Sequence, residues 1–433
     1  MRRRSVSPAA AALAPLPDND DMLEEILLRL PPRPSSLPRA SFVCKRWLRL
    51  VSDPRFLRRF RAFHRRNPPL LGFFQGHDVL HFIPALDPPN RIPSARFSHA
   101  PLPRGHDWRF LGCRHGLALL LNRMRLEVTV WDPVAGDQRV TNQGAQASIK
   151  YKETPEAEEE AEPENAQRRV AVPPELLNSE GAKVVRQGAL LCDCEDGRVP
   201  LEAFKVVLLA DDWQRDGDAQ VFASIYLYES ETSVWSNLTS TSIRDPPSTS
   251  KPSILVGNSF CWLLLRFVHG VFHGYGNGDI LEFNLGSKSL SVIKHLDGAH
   301  VTEKSCFQIL RMGASGLGLA ILSDGNIQLW ERNSDSVSVA RWMLHQTIDL
   351  GKLLSLAKPL SLGPSMKALW LEIQGYEEDG HVIFISTVCQ LYMIQLKTME
   401  FRVLFDGNLM STYHPYTSFY ATESRDRSFP AQY

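Results

Sequence analysis

His269 and His273 stand four positions apart, a spacing that on a helix turns two imidazoles toward one metal ion. They sit in HGVFHGYG, where three glycines interrupt a strand-like run, so they read as loop or strand histidines held by local hydrogen bonds. His106, His115, His300 and His414 are scattered and define no ligand set. Cys192 and Cys194 are separated by one residue, which on an extended strand places both thiols on one face about 7 Å apart. That is not the paired C-x-x-C spacing of a tetrahedral zinc site, and the other cysteines, at 44, 113, 261, 306 and 389, are isolated. The seven read as reduced thiols of the cytoplasm or nucleus. GASGLG, residues 313–318, approaches the nucleophile elbow G-x-S-x-G, but Leu317 occupies the last glycine position. GYGNGD, residues 274–279, departs from G-x-G-x-x-G, and no helix follows it to receive a phosphate. Neither catalytic residues nor a cofactor or metal site are expected, and both glycine-rich stretches are turns.

The elements that could position function lie elsewhere. A chain of 433 residues, 43% of them hydrophobic, can bury a large core in two or three folding units. Lys plus Arg and Asp plus Glu are each 48, so net charge supplies no argument for nucleic acid or an anionic membrane. The longest apolar run, SILVGNSFCWLLL at 253–265, stops at Arg266, short of the roughly 20 residues of a membrane helix. MRRRSVSPAAAALAP imitates a signal peptide, yet Pro8 and Pro15 bracket a weakly apolar run, and residues 1–14 read as a flexible leader. Asn237-Leu238-Thr239 fits a glycosylation acceptor but reads as a turn after a strand.

LPDNDDMLEEILLRLPP, residues 16–32, carries five carboxylates and one short apolar stripe. Met22, Leu23, Ile26, Leu27 and Leu30 gather on one helical side, acids precede them where the helix dipole is positive, and Pro31-Pro32 stops the helix. A second helix is expected from Ser35-Ser36 through Leu37, Ala40, Phe42, Val43 and Trp47, and a third from Asp53-Pro54 with Phe56, Leu57 and Phe60 inward. Between positions 39 and 66, ten basic residues face a single acid, Asp53. Without interleaved stacking aromatics, this block reads as solvated helix ends and linker that complement an acidic partner, not as a nucleic-acid surface.

Leu16-Pro17, Met22-Leu23, Glu25-Ile26-Leu27, Arg29-Leu30-Pro31, Val43-Cys44-Lys45-Arg46-Trp47 and Asp53-Pro54 with Phe56 resemble, in order and spacing, the F-box of plant proteins. The resemblance implies a substrate receptor of an SCF-type (cullin-RING) ubiquitin ligase, in which the F-box grips a Skp-family adaptor. The residues it implies for that contact are Leu16, Pro17, Met22, Leu23, Ile26, Leu27, Leu30, Pro31, Leu37, Val43, Cys44 and Trp47. The sequence departs from the family in the longer link Asn19-Asp20-Asp21 and in Pro38, which a helix tolerates in its first turn.

After Pro68-Pro69 the pattern changes to apolar runs broken by Gly, Asp, Asn and Ser, the signature of strands and tight turns. VTVWDPVAGDQRV at 128, IYLYESETSVWSNL at 225, ILEFNLGSKSLSVI at 280, IQLWERNSDSVSVA at 327 and MIQLKTMEFRVLF at 393 each pair two strands around a polar turn. GCRHGLALLL at 112, SILVGNSFCWLLL at 253, LGLAILSDG at 317 and GHVIFISTV at 380 supply a preceding strand, and Trp131, Tyr228, Phe283 and Trp330 mark equivalent positions. PLLGFF at 69 with HFIPAL at 81 makes a degenerate further unit. Repeated meanders that cannot bury both faces alone predict a β-propeller of six blades, or seven. The fold class is thus α+β multidomain: a short helical F-box and an all-β propeller. WDPVAGDQRV, LGLAILSDGNIQLWER and YHPYTSFY are similar to plant F-box-associated propeller domains. KETPEAEEEAEPENAQ, residues 152–167, holds seven glutamates and predicts a disordered insertion over 143–168. The expected boundaries are a leader over 1–14, F-box 15–60, basic linker 61–67, propeller 68–420 and tail 421–433.

The function these features imply is a non-catalytic receptor in the cytoplasm or nucleus, with the adaptor and an unknown target protein as partners and neither nucleic acid nor membrane. The alternative is a propeller hydrolase or carbohydrate-binding protein with an accessory helical cap. It requires polar groups converging on an open propeller mouth.

Overall fold

The computed structural model describes residues 20–64, 67–75, 80–97, 108–134, 167–173, 176, 183–192, 203–212, 221–265, 278–294, 305–313, 315–333, 340–355, 371–387, 390–406 and 412–419. Leu16, Pro17, the insertion up to residue 166, His106, His269, His273, His300, Cys194, Cys389 and Trp370 lie outside the described residues.

The N-terminal unit is helical: α1 (Asp20–Leu28), α2 (Ser36–Ser41), α3 (Lys45–Val51) and α4 (Pro54–His64). The expected second helix is two helices. Cys44 adopts φ −165° and ψ 168°, an extended conformation that ends one helical path and begins another, leaving Phe42 and Val43 on the connecting turn. Leu23, Leu27, Leu28, Leu37, Ala40, Leu50, Val51, Phe56 and Phe60 close into one core, with Trp47, Leu57 and Leu30 against it.

The remainder is six antiparallel sheets in a ring. The first holds β1 (Leu70–Gln75) and β2 (His81–Pro84). The second runs from β3 (Trp108–Arg114) through β4 (Leu117–Asn122) and β5 (Glu127–Trp131) to β6 (Gln167–Ala171). The third comprises β7 (Val184–Leu191), β8 (Lys205–Asp211), β9 (Val221–Glu229) and β10 (Val234–Ile243). The fourth comprises β11 (Ile254–Val256), β12 (Ser259–Leu263), β13 (Ile280–Asn284) and β14 (Ser289–Ile293). The fifth comprises β15 (Cys306–Met312), β16 (Gly316–Ser323), β17 (Asn326–Asn333) and β18 (Arg341–Asp349), followed by a short helix, α5 (Leu350–Ser355). The sixth comprises β19 (Glu372–Glu377), β20 (Val382–Ser386), β21 (Gln390–Gln395) and β22 (Phe401–Asp406). The last strand, β23 (Tyr413–Thr417), returns to pair with β1, so the two chain ends of the ring share one blade and close it.

Apolar contacts join each blade to the next, the hallmark of a six-bladed propeller. Phe74, Phe110 and Trp131 pack between the first two blades, Tyr226 and Leu208 face Leu119 and Val130 of the second, and Trp262 and Phe283 meet Leu209 of the third. Ile309, Ile321 and Ile385 share the core of blades four to six, and Phe73 meets Phe384 edge-on between the sixth and the first. Trp131, Tyr228 and Phe283, marked as equivalent by the repeat, each turn toward the preceding blade.

Two outer strands differ from the sequence expectation. In the second blade the partner of β5 is β6, with Thr129 opposite Arg169, so Gln167 and Arg168 are strand residues and not the end of the insertion. In the fifth, the strand expected at SVSVA begins at Arg341. Cross-strand register selects the segment that covers the blade's apolar face, and it can lie far along the chain.

Candidate functional site

The helical unit has two opposed chemical faces on α1. Leu23, Leu27 and Leu28 point into the core, whereas Met22 is 57% and Ile26 47% exposed. Beyond them the turn between α2 and α3 presents Phe42, 86% exposed, together with Val43 and Cys44. Apolar side chains left in water within so small a unit mark a surface built to be covered.

The charge block has an internal function. Asp20 accepts from Arg46 Nε at 2.7 Å and Arg49 Nη2 at 2.9 Å, while Arg59 spans Glu24 at 2.5 Å and Glu25 at 2.8 Å. The hydrogen bond from Arg46 holds the Asp20 carboxyl below its ordinary range. The acids of α1 therefore clamp α3 and α4 to it, and part of the basic block that reads as solvated helix ends is spent inside the unit. His64 Nε2 lies 2.9 Å from Leu28 O, tying the end of α4 to the end of α1.

The helical unit is seated on the first blade. Asn90 Oδ1 accepts from both the backbone N and the Oγ of Ser35, at 3.2 and 2.7 Å. Pro32, Leu37, Leu57, Phe60 and Phe419 line a small crevice at the junction, and Ser418 N donates to Pro69 O at 3.3 Å.

At the propeller axis, polar groups converge but are used on one another. Arg114, ending β3, meets Glu378 Oε1 at 2.5 Å, and Leu255 N of the fourth blade donates to the same oxygen at 3.4 Å. Arg311 donates to Glu378 O at 2.8 Å and lies 3.6 Å from Asp379. Burial raises the Glu378 carboxyl and Arg114 draws it back down. Glu377 is pushed up to about 7, by burial first and then by Asp379, although Asp379 N and Gly380 N donate to its oxygens at 2.9 and 2.6 Å. Tyr376 Oη sits 2.9 Å from His381 Nδ1. Nearer the other end of the inner strands, the segment 245–253 lies across the axis. Gln187 Nε2 donates to Ser248 O at 2.6 Å and Lys251 O at 3.1 Å, and buried Lys251 donates from Nζ to Ile373 O. Burial lowers the Lys251 amine. Ion pairs and backbone bonds thus engage most of these axial groups, while the buried Gln187 Oε1 has no partner among the described residues, and no cluster of three metal-ligating side chains occurs among them.

Residues 19–59 match the F-box domain family. That match spans the four-helix unit nearly from end to end, and the described strands from Leu70 to Thr417 form the propeller. No curated protein matches the chain in sequence. Among solved structures it is similar to an oligogalacturonate lyase from Vibrio parahaemolyticus, at 9% identity over 67% of this chain and 62% of that one, TM-score 0.32. It is similar also to dipeptidyl peptidase 4 of Porphyromonas gingivalis, at 9% identity over 70% and 47%, TM-score 0.29. The WD40 domain of SCAP from fission yeast follows at 10% identity over 70% and 57%, TM-score 0.28. The chain spans less than two thirds of the length of each, and likeness at these values carries no argument about activity.

Of the twelve residues that the resemblance singles out, the ten that are described divide by exposure. Met22, Ile26, Pro31, Val43 and Cys44 are at the surface; Leu30 and Trp47 are half-buried. Leu23, Leu27 and Leu37 are buried in the F-box's own core. A single apolar stripe was expected on α1, but a helix packed against two others must turn one side of that stripe inward. Phe42, which the sequence places on the second helix, lies on the turn after α2 and is the most exposed large apolar side chain among the unit's described residues. Its exposure follows from the break at Cys44, which hydrophobic periodicity does not reveal.

Proposed function

We propose that this chain is the target-recognition subunit of an SCF-type (cullin-RING) E3 ubiquitin ligase. Its F-box binds a Skp-family adaptor and its propeller recruits a protein target. The observation that carries this reading is a self-contained F-box core that leaves Met22, Ile26, Phe42 and Val43 uncovered while fastened to a closed ring. The chain's contribution is proximity: one domain holds the ligase and the other the target, raising the effective concentration of target lysines. No described helix is long and apolar enough to cross a membrane, and action in the cytoplasm or nucleus is part of this proposal. Co-purification of the full chain with a Skp-family adaptor tests it. Stoichiometric capture by the wild type, lost in a Met22→Asp, Phe42→Asp double variant that keeps its circular dichroism spectrum, is the expected result. Capture by neither protein removes the ligase assignment.

A further inference from the structure

A receptor needs a second docking surface, and the outer edge of the fifth blade has the chemistry of one. β18 is nine residues long and outermost in its sheet, so no described strand pairs with its outer side. Such an edge presents unpaired backbone N–H and C=O groups, a template for another extended chain, and proteins usually blunt it with charge or polar side chains. Several outer strands carry such side chains. β6 carries Arg168 and Arg169, β10 turns Ser236, Asn237, Ser240 and Ser242 to solvent, and in β22 Arg402 is committed to Ala85 O. Where β10 and β22 each expose one valine, β18 exposes two consecutive large apolar residues, Met343 at 58% and Leu344 at 49%, and no acid falls between Arg341 and Asp349.

The charge at one end of this edge is also uncompensated. Arg341, exposed and opposite Asn333, has no ion pair among the described residues. Trp342 donates from Nε1 to Lys294 O of the fourth blade at 3.3 Å, fixing this end of the strand. Between Leu344, opposite Trp330, and Gln346, opposite Leu329, His345 is an extra residue that interrupts the ladder. The ladder resumes beyond the bulge, which bends the strand and divides its edge, and the segment Arg341 to Leu344 holds the exposed apolar pair.

We propose that this edge binds a short extended peptide segment of the target by strand addition. An acidic residue of the peptide meets Arg341, and apolar residues cover Met343 and Leu344. Backbone pairing supplies affinity and the side chains supply selectivity. Naming the peptide a target segment rests on the receptor reading above; binding at the edge does not.

The test pans displayed random peptides on the full chain in complex with its adaptor. Enrichment of peptides that combine an acid with apolar residues is expected. Their affinity should fall by about tenfold or more in a Met343→Lys, Leu344→Lys double variant, whose altered side chains are at the surface. Arg341→Glu should shift the selected peptides from acidic to basic. No enrichment, or peptides that bind the double variant as well as the wild type, overturns the proposal. Sedimentation showing a dimer that the double variant abolishes also overturns it, since the occupant is then a second copy. Adaptor capture is measured alongside: its loss with peptide binding intact counts against the ligase reading alone, and the converse counts against this edge alone.

Discussion

Met22 and Leu23 are chain neighbours with opposite duties, and substitution should separate them. Leu23 is buried in the F-box core, so Leu23→Ala should destabilise that unit by about 2–5 kcal/mol, read as loss of its helical signal on heating. Phe42→Asp leaves the core untouched and should weaken adaptor binding by about 2 kcal/mol, roughly thirtyfold, measured by calorimetry. Equal effects of the two on folding would refute the division of α1 into two faces. Glu377 supplies a pH signature. In the folded chain its carboxyl is raised to about 7 from an ordinary value near 4.5, so between those pH values the folded state keeps a proton that the unfolded state has lost. Stability from this group is therefore fully present at acid pH and declines as pH rises through about 4.5 to 7, by about 3 kcal/mol at most. The difference in thermal midpoint between wild type and Glu377→Gln should change across that window in this direction. A difference independent of pH would show that Glu377 does not titrate there.

At the scale of elements, the decisive contact is between α2 and the turn after β2. Ser35 donates twice to Asn90 Oδ1, and this pair with the Phe419 crevice fixes how the F-box is carried by the first blade. Asn90→Ala should cost about 1–2 kcal/mol and loosen that seating without unfolding either part. Spin labels on Arg55→Cys and Ser287→Cys, exposed on the F-box and the fourth blade, measure it: a narrow distance distribution in the wild type should broaden in the variant. A distribution already broad in the wild type would mean that the contact does not hold the two parts. Blade turns repeat a shared chemistry. Asn122 and Asn284 accept from two following backbone N–H groups, and Ser233, Lys288 and Met399 close their four-residue turns at φ 53–59°. These polar turns were legible in the sequence because Asn, Ser and Gly are the residues that turns demand.

For the whole molecule, ring closure depends on β23. It pairs with β1 from Leu70 opposite Thr417 to Gln75 opposite Tyr413, and Tyr416 donates from Oη to Gly116 O at 2.9 Å in the second blade. Ending the chain after residue 412 uncovers Leu71, Phe74 and Phe110 together. Such a truncation should abolish the cooperative thermal transition of the propeller while the F-box, which has a core of its own, keeps its helices. Retention of the propeller transition in calorimetry would show that the ring does not need the closing strand.

What the sequence by itself determined was periodic and local. The stop at Pro31-Pro32, the repeat marked by Trp131, Tyr228 and Phe283, and a propeller of six or seven blades follow from side-chain spacing and turn chemistry, which act between near neighbours, and the structure sets the count at six. Only the tertiary structure decided matters of partnership at a distance. It paired Asp20 with Arg46 and Glu24 with Arg59, assigned β6 to β5 across more than thirty intervening residues, and joined Arg114 to Glu378 through the axis. It also chose which half of the α1 stripe is buried and left Phe42 in water. An apolar residue at helical spacing announces that it will be covered, but whether the cover is its own chain or another protein depends on packing that local sequence does not encode.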